Sequence, residues 1–228
     1  SKTSALELTD NVIYITYGVL RTEVEIEVRE KMPWDGEGTE SDPYIIKTAD
    51  DLVDLQSYIE SRRLKTDGVY FRLDSDINMK NIADFKGIAP NVGEGFRGHF
   101  DGAGHSVWNF NSHINNASGF IGRLGDGAVV ENLTIASGSL GGSYNTSMGG
   151  IAGVIVSNAT ATIRNCHNYA ELTGTFGIGG ILGAVEDGAR AVIENCSNHG
   201  KITASYQGGG IIGAVGPNRW KNNGASAS

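Results

Sequence analysis

The chain has 228 residues, 39% hydrophobic and 19% charged, with 33 glycines against 4 prolines and a formal net charge of −8. That charge argues against nucleic acid as a partner, since phosphate binding needs clustered Lys and Arg, and no run of about 18 apolar residues offers a membrane span. So much glycine, interleaved with Ile, Val and Leu and lacking collagen's period, excludes a helical protein and fits many short strands joined by tight turns.

Residues 1–31 differ in style from the rest. Val12-Ile13-Tyr14-Ile15-Thr16-Tyr17 is a strand pattern, and Gly18 opens the turn after it. Glu23 to Val28 then alternates, with Val24, Ile26 and Val28 on one face and three glutamates on the other, which predicts a β-hairpin. An isolated hairpin is marginal in water, so it needs something to pack on. Residues 32–47 read as a linker ending in a first strand, Tyr44-Ile45-Ile46. Asp35, Glu37, Glu40 and Asp42 lack the alternation of a calcium loop, and Asp35-Gly36 and Asp42-Pro43 are read as turn formers.

A capping helix is predicted within residues 48–66. Thr48 is its N-cap, Asp50 and Asp51 occupy the first turn, and Leu52, Leu55 and Ile59, with Val53 and Gln56, form the apolar stripe. Arg62, Arg63 and Lys65 fall at the far end, where the helix dipole favours cations. A stack of strands needs its first level covered, or its edge recruits other chains. This helix is assigned that role.

The remainder repeats itself. Gly119-Phe120-Ile121-Gly122, Gly150-Ile151-Ala152-Gly153, Gly180-Ile181-Leu182-Gly183 and Gly210-Ile211-Ile212-Gly213 place their last glycines at steps of 31, 30 and 30. Val130-Glu131-Asn132-Leu133, Ile163-Arg164-Asn165-Cys166 and Ile193-Glu194-Asn195-Cys196 keep the same beat. Such a period marks a solenoid. Each unit offers three apolar runs, 181–185, 191–193 and 201–203, stacked ~4.8 Å above the turn before. The fold predicted for residues 67–216 is therefore all-β: a right-handed parallel β-helix with three short strands per turn. The glycines are expected to relieve Cβ clashes at bends and to permit positive φ. Residues 217–228 are read as the tail of a truncated solenoid, because Gly210–Val215 starts a turn that no further Asn-Cys phrase completes. The missing initiator Met fits a piece of a larger parent chain with further modules.

Asn132, Asn165 and Asn195 are expected to form an asparagine ladder at a corner, with Cys166 and Cys196 stacked beside it. The two thiols are read as free or as bridged. A disulfide wants a Cβ separation near ~3.8 Å, closer than stacked strands hold, and no zinc-type spacing includes them. Among acidic residues, Glu131 and Glu194 with Arg164 between them read as a surface charge ladder. Asp74, Asp76 and Asp101 are the candidate catalytic carboxylates, each in a turn-like context, against the two-carboxylate requirement of glycoside hydrolysis. No nucleophile elbow, nucleotide loop or zinc-protease motif is present, and no metal or cofactor is expected. Tyr144, Tyr169, Tyr206, His167 and His199 are the candidate binding residues, as an exposed platform for glycans.

The run Trp34-Asp35-Gly36, Gly38-Thr39 and Asp42-Pro43-Tyr44-Ile45-Ile46, then the helix, then Leu73-Asp74-Ser75-Asp76-Ile77 and Phe96 to His105 resembles the opening of bacterial right-handed β-helix modules. The repeats after it resemble the Gly-rich GLUG-type motif of secreted and cell-surface proteins, and residues 1–31 resemble the closing strands of bacterial immunoglobulin-like domains. The resemblance to β-helix modules spans roughly residues 33–216 and implies shared architecture rather than one activity. The function it implies is a non-catalytic stalk or adhesive platform, binding glycans or a host-surface protein outside the cell. The alternative is a polysaccharide-active lyase or glycosidase, or an accessory domain of one.

Overall fold

The computed structural model describes residues 4–9, 12–17, 20–25, 31–83, 85–114, 117–142 and 147–216, the first three segments as backbone alone. The chain divides into two compact units, Ser1–Pro33 and Trp34–Ser228.

The first unit holds a three-stranded antiparallel sheet of Ser4–Thr9, Val12–Tyr17 and Leu20–Glu25 in sequential order. Thr9 pairs with Val12 and Tyr17 with Leu20, so each connection is two residues long, the commonest hairpin link. The predicted hairpin therefore gains a strand before it. Its return strand starts at Leu20 rather than Glu23, because so short a link draws the pairing back toward the turn. Ile26 and Val28 lie outside the described residues.

The second unit is a right-handed parallel β-helix of six stacked levels. Sheet I, six strands deep, contains Tyr44–Ile46, Tyr70–Leu73, His99–Asp101, Val129–Glu131, Thr160–Arg164 and Arg190–Glu194. Sheet II contains Ile77–Asn78, Ser106–Trp108, Thr134–Ile135, His167–Asn168 and Ser197–Asn198. Sheet III stacks Phe110–His113, Gly138–Gly141, Glu171–Gly174 and Ile202–Ala204, and sheet IV Met148–Gly149, Ile178–Gly179 and Gly208–Gly209. Sheet V closes the turn with Ile121–Leu124, Ala152–Ile155, Leu182–Val185 and Ile212–Val215. The three predicted runs are the strands of sheets V, I and III, and sheets II and IV add segments of two or three residues at the bends.

Alternation along each strand sends one set of side chains inward. Phe71, Phe100, Val130 and Ile163 are successive register partners in sheet I, and all are at most 1% exposed. The upper turns are filled by rings, with Phe100 and Phe120 edge to face at 5.1 Å, and the lower turns by Ile, Leu, Val, Ala and Cys. Among the described residues, Ser112, Ser118 and Asn168 are buried polar side chains. Asn168 is fully buried; its amide nitrogen donates to Ala170 O (3.1 Å) and Asn198 Oδ1 (2.8 Å), and its oxygen accepts from Ala170 N (3.1 Å). Those bonds remove the penalty of burying the amide.

The corner between sheets I and II falls on asparagine. Asn132, Asn165 and Asn195 take φ of 54°, 52° and 50°, the left-handed region that Asn tolerates best after glycine. Asn195 donates to Asn165 Oδ1 (3.3 Å), Asn165 to Asn132 Oδ1 (3.0 Å) and Asn132 to Asp101 Oδ1 (2.9 Å). Of the two roles expected for the repeated glycines, relief of Cβ clashes is the one Gly153 serves. A Cβ on Gly153 would lie 2.6 Å from Gly122 O and 2.7 Å from Ser118 N, so the residue is small because the backbones of adjoining bends meet there.

Helix α1 (Ala49–Glu60) covers the first turn. Thr48 caps it in a reciprocal box: Asp51 N donates to Thr48 Oγ1 (3.1 Å) and Thr48 N to Asp51 Oδ2 (2.9 Å). Leu52, Leu55, Gln56 and Ile59 are its buried face, and the Trp34 ring packs on both Tyr58 (5.5 Å) and Phe71 (6.3 Å), tying helix to stack. The expected cationic last turn is absent. Arg62 adopts φ 59° and Leu64 N bonds back to Tyr58 O (3.1 Å), a left-handed ending that leaves Arg62, Arg63 and Lys65 beyond the helix. Arg63 instead lies over the Tyr58 ring, 4.4 Å from its centre.

Candidate functional site

Two outer surfaces of the β-helix gather chemically distinctive side chains. The first is a charged column on sheet I. Arg72, Asp101, Glu131, Arg164 and Glu194 are successive register partners. Glu131 Oε2 accepts from Arg164 Nε and Oε1 meets His99 Nε2, both at 2.5 Å, while Arg72 Nε stands 3.9 Å from Asp101. Burial works to raise the Glu131 pKa, but the bonds from Arg164 and His99 outweigh it and hold the carboxyl below its ordinary value. A hollow of about 260 Å³ opens beside this column, lined by Glu40, Tyr70, Arg72, His99, Asp101 and Glu131. A further hollow, about 570 Å³, lies beside the end of α1, lined by Arg62, Lys65, Asp67, Glu94 and Arg97 and by no aromatic ring.

The three candidate catalytic carboxylates do not share one environment. Asp101 lines the hollow, with Oδ1 occupied by Ala103 N (2.8 Å) and Asn132. Asp76 Oδ1 accepts from Ser106 N (2.8 Å) and lies 3.5 Å from His105, serving a turn. Asp74 is exposed, on the segment leaving sheet I.

The second surface surrounds the outer face of sheet III, between two columns of rings. On its sheet II side stand Trp108 and Tyr169, 44% and 49% exposed, and His199. The rings of Tyr169 and His199 stack at 4.7 Å and 13°. Ser197 Oγ joins this group, 2.8 Å from His167 Nδ1 and 3.0 Å from His199 Nε2. On the other side Tyr206, 68% exposed, stacks on Phe176 at 4.7 Å and 6°. Between the columns lie the exposed polar side chains of Asn111, Glu171, Thr173, Lys201 and Thr203. Tyr144 is outside the described residues.

Trp108 and Phe176 were not among the residues singled out from sequence. Phe176 stands 30 residues before Tyr206, so the repeat step alone points to it. Trp108 is harder to find. Val107, Ile135, Asn168 and Asn198 are register partners, giving steps of 28, 33 and 30 residues, and the uneven early steps hide the column.

The stacked levels, the glycines at close-packed bends and the Asn corner together define a repeat, and the family model described as the GLUG motif matches residues 174–203. The chain carries a GLUG repeat on a parallel β-helix. It is similar to Halomucin of Haloquadratum walsbyi, 34% identical over 144 residues, a match covering 57% of this chain and 2% of that protein. A candidate Gly-rich membrane protein of Evansella cellulosilytica is 32% identical over 139 residues, covering 57% of this chain and 15% of that protein. The chain thus spans a small part of the curated relatives it matches. Among solved structures, a candidate immunoglobulin A1 protease from Bacteroides ovatus aligns with a TM-score of 0.53 and 26% identity, over 79% of this chain and 64% of that one. Among the described residues, no helix is long and apolar enough to cross a membrane.

Proposed function

We propose that this β-helix is a non-catalytic adhesive module of a bacterial secreted or cell-surface protein, and that the ring-flanked face of sheet III is its glycan-binding platform. The observation that carries the reading is the pair of exposed ring columns about a polar strip. Flat rings offer apolar area to the C–H faces of sugars, while Glu171, Thr173, Lys201 and Thr203 supply hydrogen-bonding groups between them. The GLUG repeat and relatives named Halomucin and Gly-rich membrane protein support a surface setting. The antiparallel sheet within residues 4–25 supports an immunoglobulin-like origin for the first unit.

The polysaccharide-active alternative has less behind it. Both oxygens of Glu131 are engaged by His99 and Arg164, and Asp101 Oδ1 is engaged by the backbone and Asn132. Neither carboxyl is placed as a free acid or base across an open cleft. The test is a glycan array run beside a hydrolysis screen. Array binding that falls at least roughly tenfold in Tyr169→Ala and in Tyr206→Ala, about the loss of one stacked ring, with no turnover, is the expected result. Absence of any bound glycan overturns the platform, and turnover overturns the non-catalytic reading.

A further inference from the structure

Cys166 and Cys196 occupy matching places on the last two levels. Arg164 pairs with Glu194, and Ser197 N donates to Cys166 O at 3.1 Å, which fixes the register beside the sulfurs. Adjacent parallel strands hold equivalent Cα atoms about 4.8 Å apart, inside the range of roughly 4.4–6.8 Å that disulfides span. Both thiols are free, and each sulfur lies 3.2 Å from the carbonyl two residues before it, Arg164 O and Glu194 O. Their surroundings differ. Cys166 is fully buried, whereas Cys196 is half-buried between the terminal strands of sheets I and II.

We propose that the two cysteines form a thiol–disulfide exchange site for low-molecular-weight disulfides, with Cys196 as the attacking sulfur and Cys166 as the resolving one. The Cys196 thiolate attacks one sulfur of the small disulfide, forms a mixed disulfide and releases the first small thiolate. Cys166 then gives up its proton, which passes to that thiolate, and attacks the Cys196 sulfur. The protein disulfide forms and the second small thiolate leaves, taking a proton from water. The protein thiols are oxidised and the small disulfide is reduced to two thiols.

The environment supports this division of labour. A hydrogen bond from Cys166 lowers the Cys196 pKa to about 7, against the opposing effects of burial and of the nearby Glu194 carboxylate. The same bond, then burial and the charge of Glu131, push Cys166 upward, so it remains protonated until the first step removes its partner's charge. Closing the bond draws the Cβ atoms together by about 1 Å. Cys196 can make that movement because the strands on either side of it, Arg190–Glu194 and Ser197–Asn198, each have a neighbour on one side only among the described residues.

Oxidised glutathione is the probe, applied to the whole chain at neutral pH, with peptide mapping by mass spectrometry under non-reducing conditions. The expected product is an intramolecular Cys166–Cys196 crosslink with two equivalents of glutathione released. Cys166→Ser should accumulate glutathione on Cys196 at least roughly tenfold faster than Cys196→Ser acquires it on Cys166, the difference between a half-buried low-pKa thiol and a fully buried one. Equal rates in the two variants, or both thiols remaining free in the unmodified chain, overturn the proposal. Crosslinks found only between chains overturn it as well.

Discussion

Glu131 sits where two donors of different kind converge, the guanidinium of Arg164 and a ring nitrogen of His99. Its folded pKa lies below the ordinary carboxylate value of 4.5, so the unfolded chain takes up the proton more readily. The stabilisation is complete above that ordinary value and disappears as pH falls through the lower, folded one. Glu131→Gln is expected to cost about 1 kcal/mol at neutral pH, a value reduced from a buried pair because Arg164 is largely exposed. Denaturant titrations at a series of pH values should show this cost shrinking below roughly pH 4.5; a constant cost would refute it. At this scale the sequence was partly legible. Asn132, Asn165 and Asn195 announce a column by their spacing, yet nothing in a sequence says that their φ is positive or that the run ends on Asp101. Asn168 and Asn198 were passed over because the levels before them carry Ile135 and Val107 at the same place. A polar ladder that begins halfway down a hydrophobic one has no period to read.

Among the elements, sheet V and its glycines set how tightly the turns close. Gly183 repeats the situation of Gly153, its missing Cβ facing Gly153 O and the Met148 backbone. Gly183→Ala must therefore push backbone against backbone. We expect a loss of about 3 kcal/mol, read as a fall in Tm of roughly 6–12 °C. Alanine at Gly210, which has open space around it, should change Tm little and serves as the control. The strands were legible because their apolar runs recur. In the repeats, the two-residue segments of sheets II and IV were not, being too short to carry alternation, although Ile77–Asn78 and Ser106–Trp108 earlier in sheet II read as strands. The end of α1 was misjudged for a related reason: the cations beyond it suit a last helical turn, and only the Arg62 backbone shows that the helix has already ended.

As a whole, the second unit is a linear stack in which each level touches only its neighbours, so stability is a sum along the axis. The upper end is closed by α1 and by rings; at the lower end Ile193, Ile202, Ile211 and Ile212 are only half-buried. Amide hydrogen exchange should accordingly be slowest near Val130 and Ile163 and faster across residues 190–215. Uniform protection from end to end would contradict this and indicate one cooperative block. Architecture was legible at this scale because a solenoid writes itself several times over. The proposed platform was legible in part: Tyr169, Tyr206, His167 and His199 stand out in the sequence, whereas Trp108 and Phe176 acquire meaning only when the coil brings their neighbours alongside.

The asparagine corner has an electrical consequence. Every amide in the run donates toward the preceding level, from Asn195 to Asn165 to Asn132, and the last donation is received by the Asp101 carboxylate. Aligned amide groups add their moments, as peptide groups do along an α-helix. The corner is therefore a side-chain wire with a positive pole, and a fixed negative charge is seated on that pole. An aspartate there plays the part of an acidic residue at a helix N-terminus, while the same residue placed lower in the column, having no N–H to donate, would interrupt the run.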